Sequence, residues 1–308
     1  MSRSRRGRPV HGWLVIDKPS GMTSTAVVNK VKWLLDARKA GHGGTLDPMA
    51  TGLLPIAFGE ATKTVNHVMA GTKAYRFTLR WGSKTNTDDA EGETIEKSDV
   101  RPNRATVEAT LTRFVGRIEQ VPPKFSAVKI NGVRAYKLAR ADKTVTLSPR
   151  EIFIHDIQVI GIPDADHMEF AAISGKGAYM RALARDIAQA IGGLGHITAL
   201  RRTSVGPFDA QDAISLDELE SIGQIADREQ KLLPVETALD DIPALAVTES
   251  EALRLRNGQP VALLRKADLK RIAELKNGDT VLAKTSTKPV ALVRYAGGEV
   301  KPFRVLKL

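Results

Sequence analysis

The chain has 308 residues, 42% of them hydrophobic, which is enough for a large core in one or two domains. It has no cysteine, which excludes disulfides, thiolate zinc sites and a cysteine nucleophile, and its six scattered histidines lack HExxH-type spacing. Lys and Arg number 46 against 35 Asp and Glu, a net charge of +11, which marks either a polyanionic partner such as nucleic acid or a well-solvated basic surface.

No run reaches the ~18 apolar residues that would suggest a membrane span. The start, MSRSRRGRPVHG, is basic but lacks the apolar stretch of a secretory signal, so a cytoplasmic protein with a flexible basic N-terminus over 1–10 is expected. A short apolar strand is predicted over 13–16, followed by a Lys-Pro-Ser-Gly turn. Thr23 or Ser24 can then cap a helix whose apolar positions are Val27, Val28, Val31, Leu34 and Leu35.

Next comes HGGTLDPMATGLL, residues 42–54, with a single carboxylate, Asp47, between a glycine turn and an apolar run. The following proline pushes Asp47 away from helical backbone. Such an acid can cap its own turn, bind a metal, transfer protons or act as a nucleophile. Only His42 is near enough in sequence to share a metal, and a nucleophile needs no raised pKa because an ordinary aspartate is ionised at pH 7.

Residues 73–82 alternate as a strand, with Tyr75, Phe77 and Leu79 on one face, and 85–93 form an acidic loop. A helix is predicted over 104–117. The stretch 121–140 combines a double proline, an Asn-Gly turn and a basic helical tail. Strands are expected at 151–161 and 168–174, and a glycine-led helix within 174–193, closed by Gly192 and Gly193. Strands and helices mix without a βαβ repeat, which indicates an α+β core. A boundary is read at 235–245. Beyond it lie a helix near 249–256 and short strands with glycine turns, the pattern of a small β-barrel. From Asp241 to Leu308 there are 13 Lys and Arg against 7 Asp and Glu, a net of +6.

The blocks DKPSGMTS, LDPMATGLLPIAFGEATK, KAYRF, TNTDDAEG and GKGAYMRALARDI, in this order, resemble the bacterial TruB family of tRNA pseudouridine-55 synthases over roughly residues 11–210. The C-terminal segment is more weakly similar to a PUA module, an RNA-binding barrel. The resemblance implies a mixed-sheet pseudouridine synthase core over 11–240, an RNA-gripping insertion at about 104–152, and a PUA-like domain over 241–308. It implies an isomerase that flips uridine 55 out of the tRNA T loop and attacks it with Asp47, without cofactor, metal or obligate protein partner. A monomer is expected.

By the same resemblance Arg181 pairs with Asp47, and Tyr75 stacks on the uracil with its hydroxyl near the C5 proton. Tyr179 and Leu200 wall the pocket, His42 enters the space left by the flipped base, and Asp89 contacts the nucleotide. Lys18, Lys63, Lys129 and Arg140 meet phosphates. Two competing readings are a guide-RNA-dependent synthase and a non-catalytic RNA-folding protein. The insertion argues against the first, and the joint presence of Asp47, Tyr75 and Arg181 against the second. The chain departs from many relatives at Gly43, where threonine is common, and at Phe125, where tyrosine is frequent.

Overall fold

The computed structural model describes residues 7–130, 132–139, 141, 145–264 and 268–308. Among these, nine strands form one mixed sheet. Its order runs Ala213–Ser215, Gly12–Lys18, Thr51–Phe58, Gly195–Val205, Lys73–Trp81, His167–Ser174, Arg150–Asp164, Gly116–Gln120, with Ala40–His42 also paired to Thr51–Phe58. Two pairings are parallel, Ala213–Ser215 with Gly12–Lys18 and Gly195–Val205 with Thr51–Phe58; the rest are antiparallel.

Strand periodicity explains why the first strand reads as unbroken apolar sequence. Leu14 and Ile16 face a core shared with the helices Ser24–Leu34, Arg104–Leu111 and Met180–Ala190. Trp13 and Val15 point the other way, into a second core with Phe208, Val235 and Leu239. Leu282, Leu292 and Leu306 from the C-terminal sheet complete that second core, so the two parts of the chain share buried apolar surface.

Most expected elements are present, with shifted ends. Thr23 caps the first helix, its side chain accepting from Ala26 N–H, and Val27, Val28, Val31 and Leu34 are its buried stripe. The helix predicted over 104–117 stops earlier: Arg104–Leu111 passes into a 3-10 turn at Thr112–Phe114. Gly116, at φ 92°, then turns the chain into a strand. The basic helical tail is one short helix, Ala135–Ala139.

The C-terminal β module is a curled five-stranded sheet ordered Ala244–Ala246, Thr280–Lys284, Pro289–Ala296, Glu299–Val305, Val261–Ala262. Leu255 from the helix Glu249–Arg256 packs with Val281, Val293 and Val300 beneath it. Among the described residues no helix is long and apolar enough to cross a membrane.

Candidate active site

Asp47 sits in the loop between Ala40–His42 and Thr51–Phe58, and that loop is tied on both sides. Ser24 Oγ donates to Leu46 C=O (2.9 Å) and accepts from Leu46 N–H (2.8 Å). After the acid, Pro48 C=O accepts from Gly21 N–H (2.9 Å) and from Lys18 Nζ (3.0 Å). The Lys18 ammonium also donates to Pro19 C=O (2.8 Å) and Met22 C=O (2.7 Å), so its three donors are all satisfied inside the protein. Burial pulls its pKa down to about 8, while the charge of Asp47 opposes the shift. Leu46 and Ala50, both buried, anchor the loop in the first core.

Arg181 lies in the first turn of Met180–Ala190, and its side chain is 3% exposed. Its Nη2 donates to Asp47 Oδ1 at 3.1 Å, and Nε approaches Oδ2 at 2.9 Å as an ion-pair contact without hydrogen-bond alignment. The same guanidinium donates to Thr87 C=O (2.8 Å) and Phe125 C=O (2.9 Å) and lies 3.3 Å from Asp89 Oδ2. One cation therefore links the acid loop, the 85–93 loop and the 121–130 segment. Its fork fixes direction as well as charge, which a point-charge ammonium does not.

Asp89 is held in turn by Thr87 Oγ1 (2.6 Å) and Glu91 N–H (3.1 Å). Its neighbour Asp88 occupies the left-handed region at φ 61° and is paired to Arg185 at 3.0 Å. Burial pushes the Asp88 carboxyl up, against the pull of Arg185 and Arg181. Arg185 stands one helical turn after Arg181, so a single helix face grips both aspartates of the loop.

Tyr75 and Arg202 are direct cross-strand neighbours, and Arg202 also pairs with Gly52 on the other side. Arg202 is 1% exposed and has no carboxylate partner among the described residues. It donates to Leu53 C=O (2.8 Å), Gly44 C=O (3.0 Å) and Thr45 C=O (3.4 Å). Burial lowers its pKa, and Tyr75 is the group that favours its charged form. This buried cation, bonded to the turn before Asp47, is the cross-strand neighbour of the tyrosine expected to face the base.

Leu200 pairs with Phe77, two residues from Tyr75, and lies on the same sheet face. Tyr179 caps the Arg181 helix, its backbone N–H donating to Gln120 Oε1 (2.8 Å) and its C=O accepting from Gln120 Nε2 (3.2 Å). Burial raises its phenol pKa, and the nearby Asp47 charge acts in the same direction. His42 ends the Ala40–His42 strand, its Nδ1 accepting from Gly44 N–H at 3.4 Å.

Two lysines expected at phosphates are engaged elsewhere: Lys18 as above, and Lys63 on Glu60 (2.6 Å) and Val305 C=O (2.7 Å). Lys129 is exposed on a two-stranded hairpin, and Arg140 lies outside the described residues. Gly43 has a steric reason, since a Cβ there would stand 2.7 Å from Val68 Cγ1. At Phe125 it is the backbone carbonyl that meets Arg181. Sequence reasoning missed Arg202, Arg185, Asp88 and Gln120. Arg202 follows another arginine in a strand without spacing that singles it out.

Two family models match the chain that builds this mixed-sheet core with its paired acid and arginine. Residues 32–180 match the TruB family pseudouridylate synthase N-terminal domain, and residues 181–240 the tRNA pseudouridylate synthase B C-terminal domain. The chain belongs to the TruB family of pseudouridylate synthases and is an isomerase. The tRNA pseudouridine synthase B of Rhodospirillum rubrum is 54% identical over 308 residues, the whole of both chains. That of Caulobacter vibrioides is 50% identical over 309 residues, again the whole of both. Among solved structures, a chain from a Cbf5-Nop10-Gar1 complex has a TM-score of 0.72 at 26% identity, covering 96% of this chain and 85% of that one.

Proposed function

We propose that the chain converts uridine 55 in the T loop of tRNA to pseudouridine, acting alone and without guide RNA. The observation that carries this reading is the proline-fixed carboxylate of Asp47 held by the buried fork of Arg181, with its loop bonded to Arg202, the cross-strand neighbour of Tyr75. A carboxylate immobilised by a guanidinium is a positioned nucleophile.

The target base is first extruded from its stack, at a cost of a few kcal/mol that a plug in the vacancy lowers. His42 is the plug, five residues before the acid. Tyr75 stacks on the flipped uracil, and Tyr179 and Leu200 wall the pocket. An Asp47 oxygen attacks at uracil C6 or ribose C1′, and either route leads through cleavage of the N1–C1′ bond to the same product. The base turns within the pocket, C5 bonds to C1′, the bond to Asp47 breaks to regenerate the carboxylate, the C5 proton departs and N1 gains one. The change is redox-neutral and conserves atoms. Tyr75 is the candidate to handle the C5 proton through its hydroxyl, with Arg202 as its cross-strand neighbour. Asp89, buried against Arg181, acts through that arginine by keeping its fork aimed. Lys129 and Arg140 grip the RNA backbone from the 104–152 insertion, and the 241–308 segment adds an RNA-binding module to the 11–240 catalytic domain.

The test is to incubate the purified chain with an unmodified tRNA transcript and no other RNA or protein, then map pseudouridine along the product. Conversion at position 55 is expected. No conversion until a guide RNA or partner is added would overturn guide independence, and conversion at another position would overturn the site.

A further inference from the structure

Beside the candidate active site lies a cleft of about 350 Å³ where the C-terminal sheet meets the core. Its lining includes Lys39 and His42 from the chain before the acid loop, Lys63 and Asn66 from the turn and helix after it, and Arg304 from the last strand. Among the described residues no carboxylate belongs to the lining. Lys39 and Arg304 are exposed, and neither has an ion-pair partner among the described residues.

Lys63 has a different part here. It donates to Val305 C=O and pairs with Glu60, while Glu60 accepts from Lys307 N–H at 2.7 Å. These bonds seize the residues on both sides of Leu306, which is itself buried in the shared core. Arg304, next to the fastened Val305, thus lines the same cleft as Lys39. The positive charge of Lys63 is spent on the fastening, and Lys39 and Arg304 are left to face an anion.

We propose that this cleft is a composite seat for backbone phosphate of the substrate RNA, gripped by Lys39 from the core and Arg304 from the C-terminal sheet. The proposal rests on the RNA-modifying reading above. His42 shares the lining, so a phosphate seated there fixes the RNA strand next to the residue assigned to fill the space of the flipped base. The C-terminal module then contributes half of a grip made only when it is docked on the core. Phosphate contacts position a nucleic acid without reading its sequence, so the seat acts on affinity and register.

The experiment measures affinity of the full chain for unmodified tRNA across a series of salt concentrations, for wild type, Lys39→Ala, Arg304→Ala and the double variant. Lys97→Ala removes another exposed charge, outside the cleft, the 104–152 insertion and the C-terminal module. Each cleft variant should bind about three- to tenfold more weakly, with the slope of log K against log salt flattened by about 0.7–0.9 for each phosphate no longer neutralised. The double variant should show both reductions together, and Lys97→Ala should keep the wild-type affinity and slope. Urea midpoints equal to wild type check that these surface changes leave the fold intact. Unchanged affinity in the cleft variants, or an equal loss in Lys97→Ala, would overturn the seat. Calorimetry with inorganic phosphate separates a free-anion site: phosphate binding abolished in the double variant while tRNA affinity is unchanged would also overturn it. Absence of pseudouridine formation by the wild type defeats the parent reading instead, which binding data alone do not touch.

Discussion

A single guanidinium organises the acid at the candidate site, and its geometry is more constrained than its charge. Arg181 reaches Asp47, Asp89, Thr87 C=O and Phe125 C=O from one planar fork. Lysine at this position retains a cation but presents one nitrogen, so it cannot satisfy acceptors lying in several directions. Arg181→Lys should lose at least about 100-fold in kcat, equivalent to about 2.7 kcal/mol of transition-state stabilisation, while tRNA affinity changes little. Single-turnover kinetics with enzyme in excess measures this, and wild-type turnover would show that the fork does not aim the acid. Asp47 and Arg181 are both legible in the sequence. Asp47 is marked by its proline and apolar shoulder, whereas Arg181 comes only through the resemblance. Arg202 is not legible, because what distinguishes it is complete burial without a carboxylate, a property of the folded sheet.

At the scale of elements, the site depends on strands that the pattern of the sequence conceals. Thr51–Phe58 and Gly195–Val205 lie in the middle of the sheet, yet periodicity predicts neither as a strand. Pro55 interrupts the first with a residue that cannot donate to a ladder, while its carbonyl still accepts from Gly43 N–H at 2.8 Å. The second carries Arg201 and Arg202 where an apolar run would be expected; Arg201 faces out to Asp17 at 2.7 Å and Arg202 turns inward. Strands with alternating periodicity or clear turns, such as Lys73–Trp81 and His167–Ser174, are readable because packing and sequence agree there. Where the parallel pair of central strands meets, Gly52 is at φ 97° and a Cβ would fall 2.1 Å from Arg202 C=O. Gly52→Ala should therefore cost at least about 2 kcal/mol through backbone strain and overpacking. It should also reduce turnover, because the strand carrying Arg202 must move. Urea unfolding and turnover measured together check both, and a variant with wild-type values would contradict the close approach.

Over the whole molecule, the C-terminal sheet is fastened to the core by apolar packing and by one small polar knot. Burial pushes the Glu60 carboxyl up, but bonds from Lys307 N–H and Lys63 more than offset this and hold its pKa below the usual 4.5. A depressed folded value means that the stabilisation is present above pH 4.5 and is lost as pH falls through that lower value. Wild-type stability should thus fall more steeply than that of Glu60→Gln between pH 5 and about 3; parallel curves from urea unfolding would mean that the knot carries no linkage. Docking, sheet and loops together hold one acid in place, and that acid is the centre of the account. Asp47→Asn replaces its carboxylate with an amide of nearly the same shape and far lower nucleophilicity. The decisive measurement is pseudouridine formation in a single turnover on unmodified tRNA at saturating enzyme, with tRNA affinity measured in parallel. The account predicts no detectable product and near wild-type affinity; product formation above a few per cent of the wild-type rate would contradict the role of Asp47 as the nucleophile.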